Sequence, residues 1–259
     1  LIVDRNLETR VTTTSINKII ENLIPEFDVA LCEDYDKQIG KKHQPNFDKE
    51  KWYASRKLDG CRAIAVVDAD GSVKFLSRAG NEFKTLQVAA DALKAAGFKN
   101  VILDGEICLI KADGSDDFQG IMKEIKRKDH TIKNPKYKIF DILTPEEFYS
   151  KKSTTTFSER LERLKKYRIV QSDKLDNLND KTGIFNTETS VGLTPLEILK
   201  QTPITSQAQF EEIRNNAAEQ GWEGTIIRKD AFYEGKRSKN MLKVKNFKDA
   251  EYIVVDTIN

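Results

Sequence analysis

Two short apolar runs, residues 62–67 and 73–76, are joined by Asp68-Ala69-Asp70-Gly71. The tetrapeptide has the chemistry of a tight turn. Its aspartates can bond their own backbone, and its glycine is free to take a positive φ. So short a connection joins only antiparallel strands, because a parallel pair needs a crossover of a dozen residues or more. Further strands are expected at 101–110, 137–143 (ended by Pro145), 225–228, 241–244 and 252–255. A helix is expected over 85–96, where Leu86, Ala89, Ala90 and Leu93 share a face and Gly97 stands at the cap position. Another is expected over 118–125. Thr156 with Glu159 and Ser206 with Gln209 have capping-box spacing for two more, the second running to about Gln220 and closed by Gly221. A helical turn or two is expected at 17–23, before Pro25. Residues 36–51, polar and lysine-rich with Pro45, read as a linker or edge segment. Strands outside βαβ order give the expected fold class: α+β, built on an antiparallel sheet.

At 259 residues the chain has room for one large domain or two small ones, and 39% hydrophobic content supports a real core. A net charge of +2 rules out a global basic field, so any nucleic-acid contact must come from a local patch. Cys32, Cys61 and Cys108 are odd in number and far apart. That excludes a disulfide framework and a four-cysteine zinc site, and reduced thiols fit a cytoplasmic setting. With only His43 and His130, a histidine-rich metal site is equally unsupported. No apolar run has membrane-spanning length, and the start does not read as a signal peptide.

Five segments carry chemistry, and most have a plain structural reading beside them. Lys57-Leu58-Asp59-Gly60-Cys61-Arg62 reads by itself as a surface turn, but it precedes an apolar strand, which places Lys57 at a strand edge facing a cleft. Leu103-Asp104-Gly105-Glu106 puts two carboxylates into a strand, a cost unless they are paired, used, or on one solvated face. Tyr137-Lys138-Ile139-Phe140-Asp141-Ile142-Leu143 carries aromatics that ordinarily belong to a core. Glu223-Gly224-Thr225-Ile226-Ile227-Arg228-Lys229 is the fourth segment. Leu242-Lys243-Val244-Lys245 alternates like an amphipathic edge strand.

Taken as an ordered set, these segments closely resemble motifs I, III, IIIa, IV and V of the covalent nucleotidyltransferases: ATP-dependent DNA ligases, RNA ligases and mRNA capping enzymes. The resemblance spans roughly 27–247. Glu223-Gly224 favours a ligase over a capping enzyme. Ser77-Arg78-Ala79-Gly80-Asn81-Glu82 and Arg237-Ser238-Lys239-Asn240 are similar to stretches of bacteriophage DNA ligases of the T-even type. The resemblance implies an antiparallel α+β nucleotidyltransferase domain at 27–247. Residues 1–26 would be the tail of an N-terminal DNA-binding region or a linker. Residues 248–259 would be the start of an oligonucleotide-binding barrel that is largely absent. An RNA ligase of the same superfamily, or an inactive DNA-binding scaffold on the same fold, are the alternatives.

The resemblance also assigns roles. Lys57 would be the nucleophile that takes AMP from ATP. A lysine amine attacks only when neutral, and a free one titrates near ~10.4. Cationic neighbours and desolvation promote the neutral form, and Lys243, Lys245 and a magnesium ion are the candidate neighbours. Ser55, Asp59, Arg62, Glu106, Lys243 and Lys245 would contact the nucleotide. Phe140 would stack on adenine, with Ile227 on its other side. Glu223 and Glu106 would hold Mg2+. Arg78 would meet the 5′-phosphate of nicked double-stranded DNA, since guanidinium matches phosphate geometry. The implied protein is a monomer, free of membrane, in the cytoplasm (the host's, if phage-encoded).

Overall fold

The hairpin drawn from Asp68-Ala69-Asp70-Gly71 is present in the computed structural model, which describes residues 13–20, 27–167, 169–171 and 194–245. Strands β3 (Cys61–Val67) and β4 (Val73–Leu76) pair antiparallel, and the Asp68 N–H donates to the Ser72 carbonyl across the turn. They belong to a seven-stranded sheet. Its order is β5 (Glu82–Phe83), β4, β3, β6 (Val101–Cys108), β7 (Lys136–Leu143), β10 (Leu196–Ile198) and β9 (Val170–Gln171). A second sheet has five strands: β1 (Leu31–Asp34), β14 (Arg237–Lys245), β12 (Gly224–Lys229), β2 (Trp52–Arg56) and β11 (Thr202–Ile204). A small ribbon pairs β8 (Lys152–Thr156) with β13 (Phe232–Glu234).

Antiparallel pairing dominates, as expected. Among the described residues three pairs are parallel: β1 with β14, and β10 with both β7 and β9. Such pairings join segments far apart in the chain, where no local turn signal announces them.

Helices α2 (Gln87–Ala95) and α3 (Phe118–Glu124) cover one face of the larger sheet. Leu86, Ala89, Leu93, Ile121 and Ile125 pack there against Ala63, Ala65, Leu103 and Ile139. Gly97 ends α2 at φ +81°, a conformation that costs glycine little. Helix α6 (Gln207–Glu219) seals the outer face of the smaller sheet. Its Phe210 meets Trp52, Ala54, Ile227, Leu242 and Val244.

Both N-terminal signals hold, to different degrees. Thr156 and Glu159 form a complete capping box at α5 (Phe157–Lys165). Ser206 accepts the Gln209 N–H, but the Gln209 side chain turns to Thr205, so α6 has half a box. Pro145 does not simply end a strand. It opens a further helix, α4 (Pro145–Tyr149), where a missing N–H costs nothing, behind the capping box of Thr144 and Glu147. Residues 36–51 are no free linker, because Phe47 is buried against Trp52 and Phe210. Of the turn expected at 17–23, residues 17–19 fall in helix α1 (Thr13–Ile19) and 21–23 lie outside the described residues. The strand expected at 252–255 lies outside the described residues.

Candidate active site

The chain leaves the smaller sheet at the end of β2 and enters the larger one at β3, and Lys57 lies on that crossing. The crossing is tied down almost residue by residue. The Lys57 N–H donates to the Gly224 carbonyl at 2.9 Å. The Asp59 N–H donates to Asp116 Oδ2 at 3.2 Å, and the Gly60 N–H to Glu106 Oε1 at 3.1 Å. Glycine is required at 60 because the loop runs against β6: an added Cβ would stand 2.5 Å from the Ile107 carbonyl oxygen. Gly224, at φ +151°, is required for a similar reason, since its Cβ would meet the Val244 carbonyl at 2.1 Å.

Between the facing surfaces of the two sheets lies a cavity of about 290 Å³, at the lower edge of the ~300–1,000 Å³ usual for ligand pockets. One wall comes from the smaller sheet: Cys32, Ser55, Ile226, Arg228 and Lys243, with Lys57 at the crossing. The other wall carries Arg62, Glu106 and Phe140, with Arg78 projecting from the turn after β4.

The electrostatics are dense. Lys57 Nζ is ion-paired with Glu223, the residue before β12. Arg62 makes a two-pronged contact with Asp104 and donates to the Ala30 carbonyl. Burial works against the Arg62 charge, but Asp104 outweighs it and holds the guanidinium above its ordinary pKa. The Arg62 guanidinium sits 4.7 Å from the Phe140 ring centroid, and that of Arg228 sits 5.3 Å away. Burial pushes the Glu106 carboxyl up to about 7, against the pull of Arg62, the Gly60 N–H and Lys57. Asp59 is also raised, by burial and then by Glu223. Burial raises the Cys32 thiol, opposed by the surrounding Arg228, Arg62, Lys57 and Lys243.

A family model described as "ATP dependent DNA ligase domain" matches residues 13–245. This chain belongs to that family. The DNA ligase of Enterobacteria phage T6 is 25% identical over 98% of this chain and 55% of the relative, and the phage T4 DNA ligase is similar to the same degree. A solved structure named Pmar-Lig_Pre superposes with a TM-score of 0.69 at 25% identity, covering 92% of this chain and 51% of that one. The ligase of bacteriophage T7, solved in complex with ATP, shares the fold at TM-score 0.59 and 16% identity, over 85% of this chain and 69% of that one. The chain thus spans about half the length of the curated relatives it matches.

Within this ligase domain, the sequence-derived site residues fall into three groups. Ser55, Lys57, Arg62, Arg78, Glu106, Phe140 and Lys243 line the one cavity. Glu223, Asp59 and Lys245 lie beside it: Glu223 on Lys57, Asp59 in the crossing, and Lys245 opposite Gly224 at the end of β14. Ile227 is a correction. It is fully buried in the core beneath α6, and its neighbour Ile226 faces the cavity. Side chains alternate along a strand, so consecutive isoleucines must point to opposite faces. The solvated-face reading of Asp104 is overturned as well, for it is buried against Arg62.

Further cavity residues escaped sequence reading, among them Arg56, Arg228, Cys32 and Leu199. Arg228 was findable, since it shares a face with Ile226. Cys32 and Leu199 arrive through the parallel pairings of β1 and β10, which leave no local trace.

Proposed function

We propose that this ligase domain takes AMP from ATP onto Lys57 and that the whole protein uses the adduct to seal nicks in duplex DNA. The observation that carries the reading is the single cavity holding Lys57 with Ser55, Arg62, Glu106, Phe140 and Lys243, residues drawn from six separate strands and loops.

The chemistry follows from these groups. The neutral Lys57 amine attacks the α-phosphorus of ATP, a phosphoramidate bond forms, and pyrophosphate leaves. Glu223, already paired with Lys57, is the carboxylate placed to accept the proton that the amine gives up. Lys243 stands on the same wall as Lys57 and offsets charge on the α-phosphate; Lys245, two residues on, extends that cationic edge. Phe140 offers an aromatic face for adenine, with Ile226 on the opposite wall. Arg62 and Glu106 are the polar groups for ribose and phosphate. AMP then passes to the 5′-phosphate of a nick, which Arg78 on the cavity lining meets, and attack by the 3′-hydroxyl joins the strand and releases AMP.

Magnesium ion, when bound, offsets charge on the triphosphate and on the leaving pyrophosphate. Such ions are usually held by one or two carboxylates, with phosphates and water completing the shell. Glu223 and Glu106 would supply that pair.

The test is incubation with ATP followed by intact-mass measurement and mapping of the modified residue. A gain of one AMP, located on Lys57 and absent from Lys57→Ala, is expected. An undiminished adduct in that variant would sink the assignment.

A further inference from the structure

We infer that Asp116 is a positioning residue for Lys57, fixing the nucleophile's loop from beneath. The inference rests on the adenylation reading above and adds a residue outside the five motifs.

Asp116 stands at the end of the loop that follows β6. That loop is well braced. Lys111 N–H receives support from its donation to the Ser115 carbonyl, Ile110 bridges to Asp116, and the Asp117 N–H donates to the Leu109 carbonyl. Asp113 accepts from both the backbone and the hydroxyl of Ser115. The loop therefore delivers its carboxylate from a defined backbone.

The Asp116 side chain is almost fully enclosed, at 2% exposure. Its Oδ2 accepts from Arg56 Nη2 at 3.1 Å and from the Asp59 N–H at 3.2 Å. Its Oδ1 lies 3.6 Å from the ammonium of Lys138, which is itself buried. A carboxylate this enclosed is tolerated only when paired, and here its two partnered cations are a residue of β2 and a residue of β7. The Arg56 guanidinium also lies over the Trp222 ring at 5.4 Å.

One oxygen thus grips the chain on both sides of Lys57, at residue 56 through a side chain and at residue 59 through the backbone. Arg56 is also held by its strand pairing with Thr225, but the other ties of the crossing, from Lys57 to Gly224 and from Gly60 to Glu106, do not reach the Asp59 N–H that Asp116 holds. In-line attack on phosphorus is intolerant of misplacement: an error of ~1 Å costs about 100-fold in rate. Asp116 does not line the cavity, and its partner Arg56, which does, is also held by its pairing with Thr225 and by the Trp222 ring, so removal of Asp116 should disturb the aim of the amine and leave nucleotide binding largely intact.

The experiment is single-turnover adenylation at varied ATP, read by intact mass, for wild type, Asp116→Ala, Asp116→Asn and Asp117→Ala. Asp117 caps α3 by accepting the Gly120 N–H and touches nothing in the crossing, so its variant controls for local destabilisation. Asp116→Ala is expected to slow the maximal rate by about 10–100-fold while the half-saturating ATP concentration holds within about twofold. Asp116→Asn, which keeps an oxygen for the Asp59 N–H, should fall between that variant and wild type. Asp117→Ala should melt earlier yet adenylate at the wild-type rate. A wild-type rate in Asp116→Ala overturns the inference alone, as does a rate loss matched by an equal loss of ATP affinity or shared by Asp117→Ala. No adduct in the wild-type protein overturns the adenylation reading and this inference together.

Discussion

Glu106 accepts the backbone N–H of Gly60 at 3.1 Å, so a carboxylate of the larger sheet is joined directly to the loop that carries Lys57. Burial raises this carboxyl to about 7 from an ordinary 4.5. A raised carboxyl stabilises the fold below its unfolded pKa, and that contribution is lost as pH climbs through the folded value. Wild-type stability should therefore fall between about pH 4.5 and 7 through this group. Glu106→Gln keeps an oxygen for Gly60 but cannot ionise. Its melting temperature should gain on wild type by a few degrees across that interval, as measured by thermal denaturation. Parallel melting profiles for the two proteins would exclude Glu106 as the titrating group.

Phe140→Leu preserves an apolar filler beneath Arg62 and Arg228 but removes the aromatic face. If Phe140 stacks on adenine, nucleotide affinity should drop by a factor equivalent to about 1–3 kcal/mol, with the magnesium dependence of adenylation unchanged. Calorimetric titration with ATP provides the check, and equal affinity in the variant would dismiss the stacking role.

The two adjacent isoleucines of β12 should separate stability from binding. Ile227 is fully buried in the core under α6, so Ile227→Ala should cost about 2–5 kcal/mol of folding stability. Ile226→Ala should cost less stability and weaken nucleotide binding by about tenfold. Urea unfolding and nucleotide titration on both variants decide it; reversed effects would place the wrong isoleucine at the cavity.

Asp141 is almost fully buried between Arg160 and Arg228, at 2.8 Å and 2.9 Å. Asp141→Ala strands two guanidinium groups in the interior and should destabilise the domain by about 3–5 kcal/mol. Arg228 also faces the cavity, so the variant should bind nucleotide more weakly even where it remains folded. A variant as stable as wild type would mean that solvent reaches these arginines.

Local chemistry made much of this domain readable in advance. The Asp68–Gly71 turn, the Thr156–Glu159 box and Gly97 each act within a few residues, and each appears where its side chains demand. Long-range placement was less accessible. Asp116 gives no signal in its own neighbourhood, because its partners stand 57 and 60 positions away. Ile226 and Ile227 are chemically identical, and only the phase of β12 against its two neighbours tells which one meets the cavity. Phe47 looked like part of a polar linker because one aromatic among lysines carries little weight until its contacts with Trp52 and Phe210 are known.

The cavity's two walls belong to different sheets, and one covalent thread between them is the crossing that bears Lys57. A nucleotide held there would act as a rivet through both layers. Amide exchange in β6 and β12, which share no backbone pairing, should then slow in step as the rivet is set, and loosen in step when AMP moves on to its acceptor.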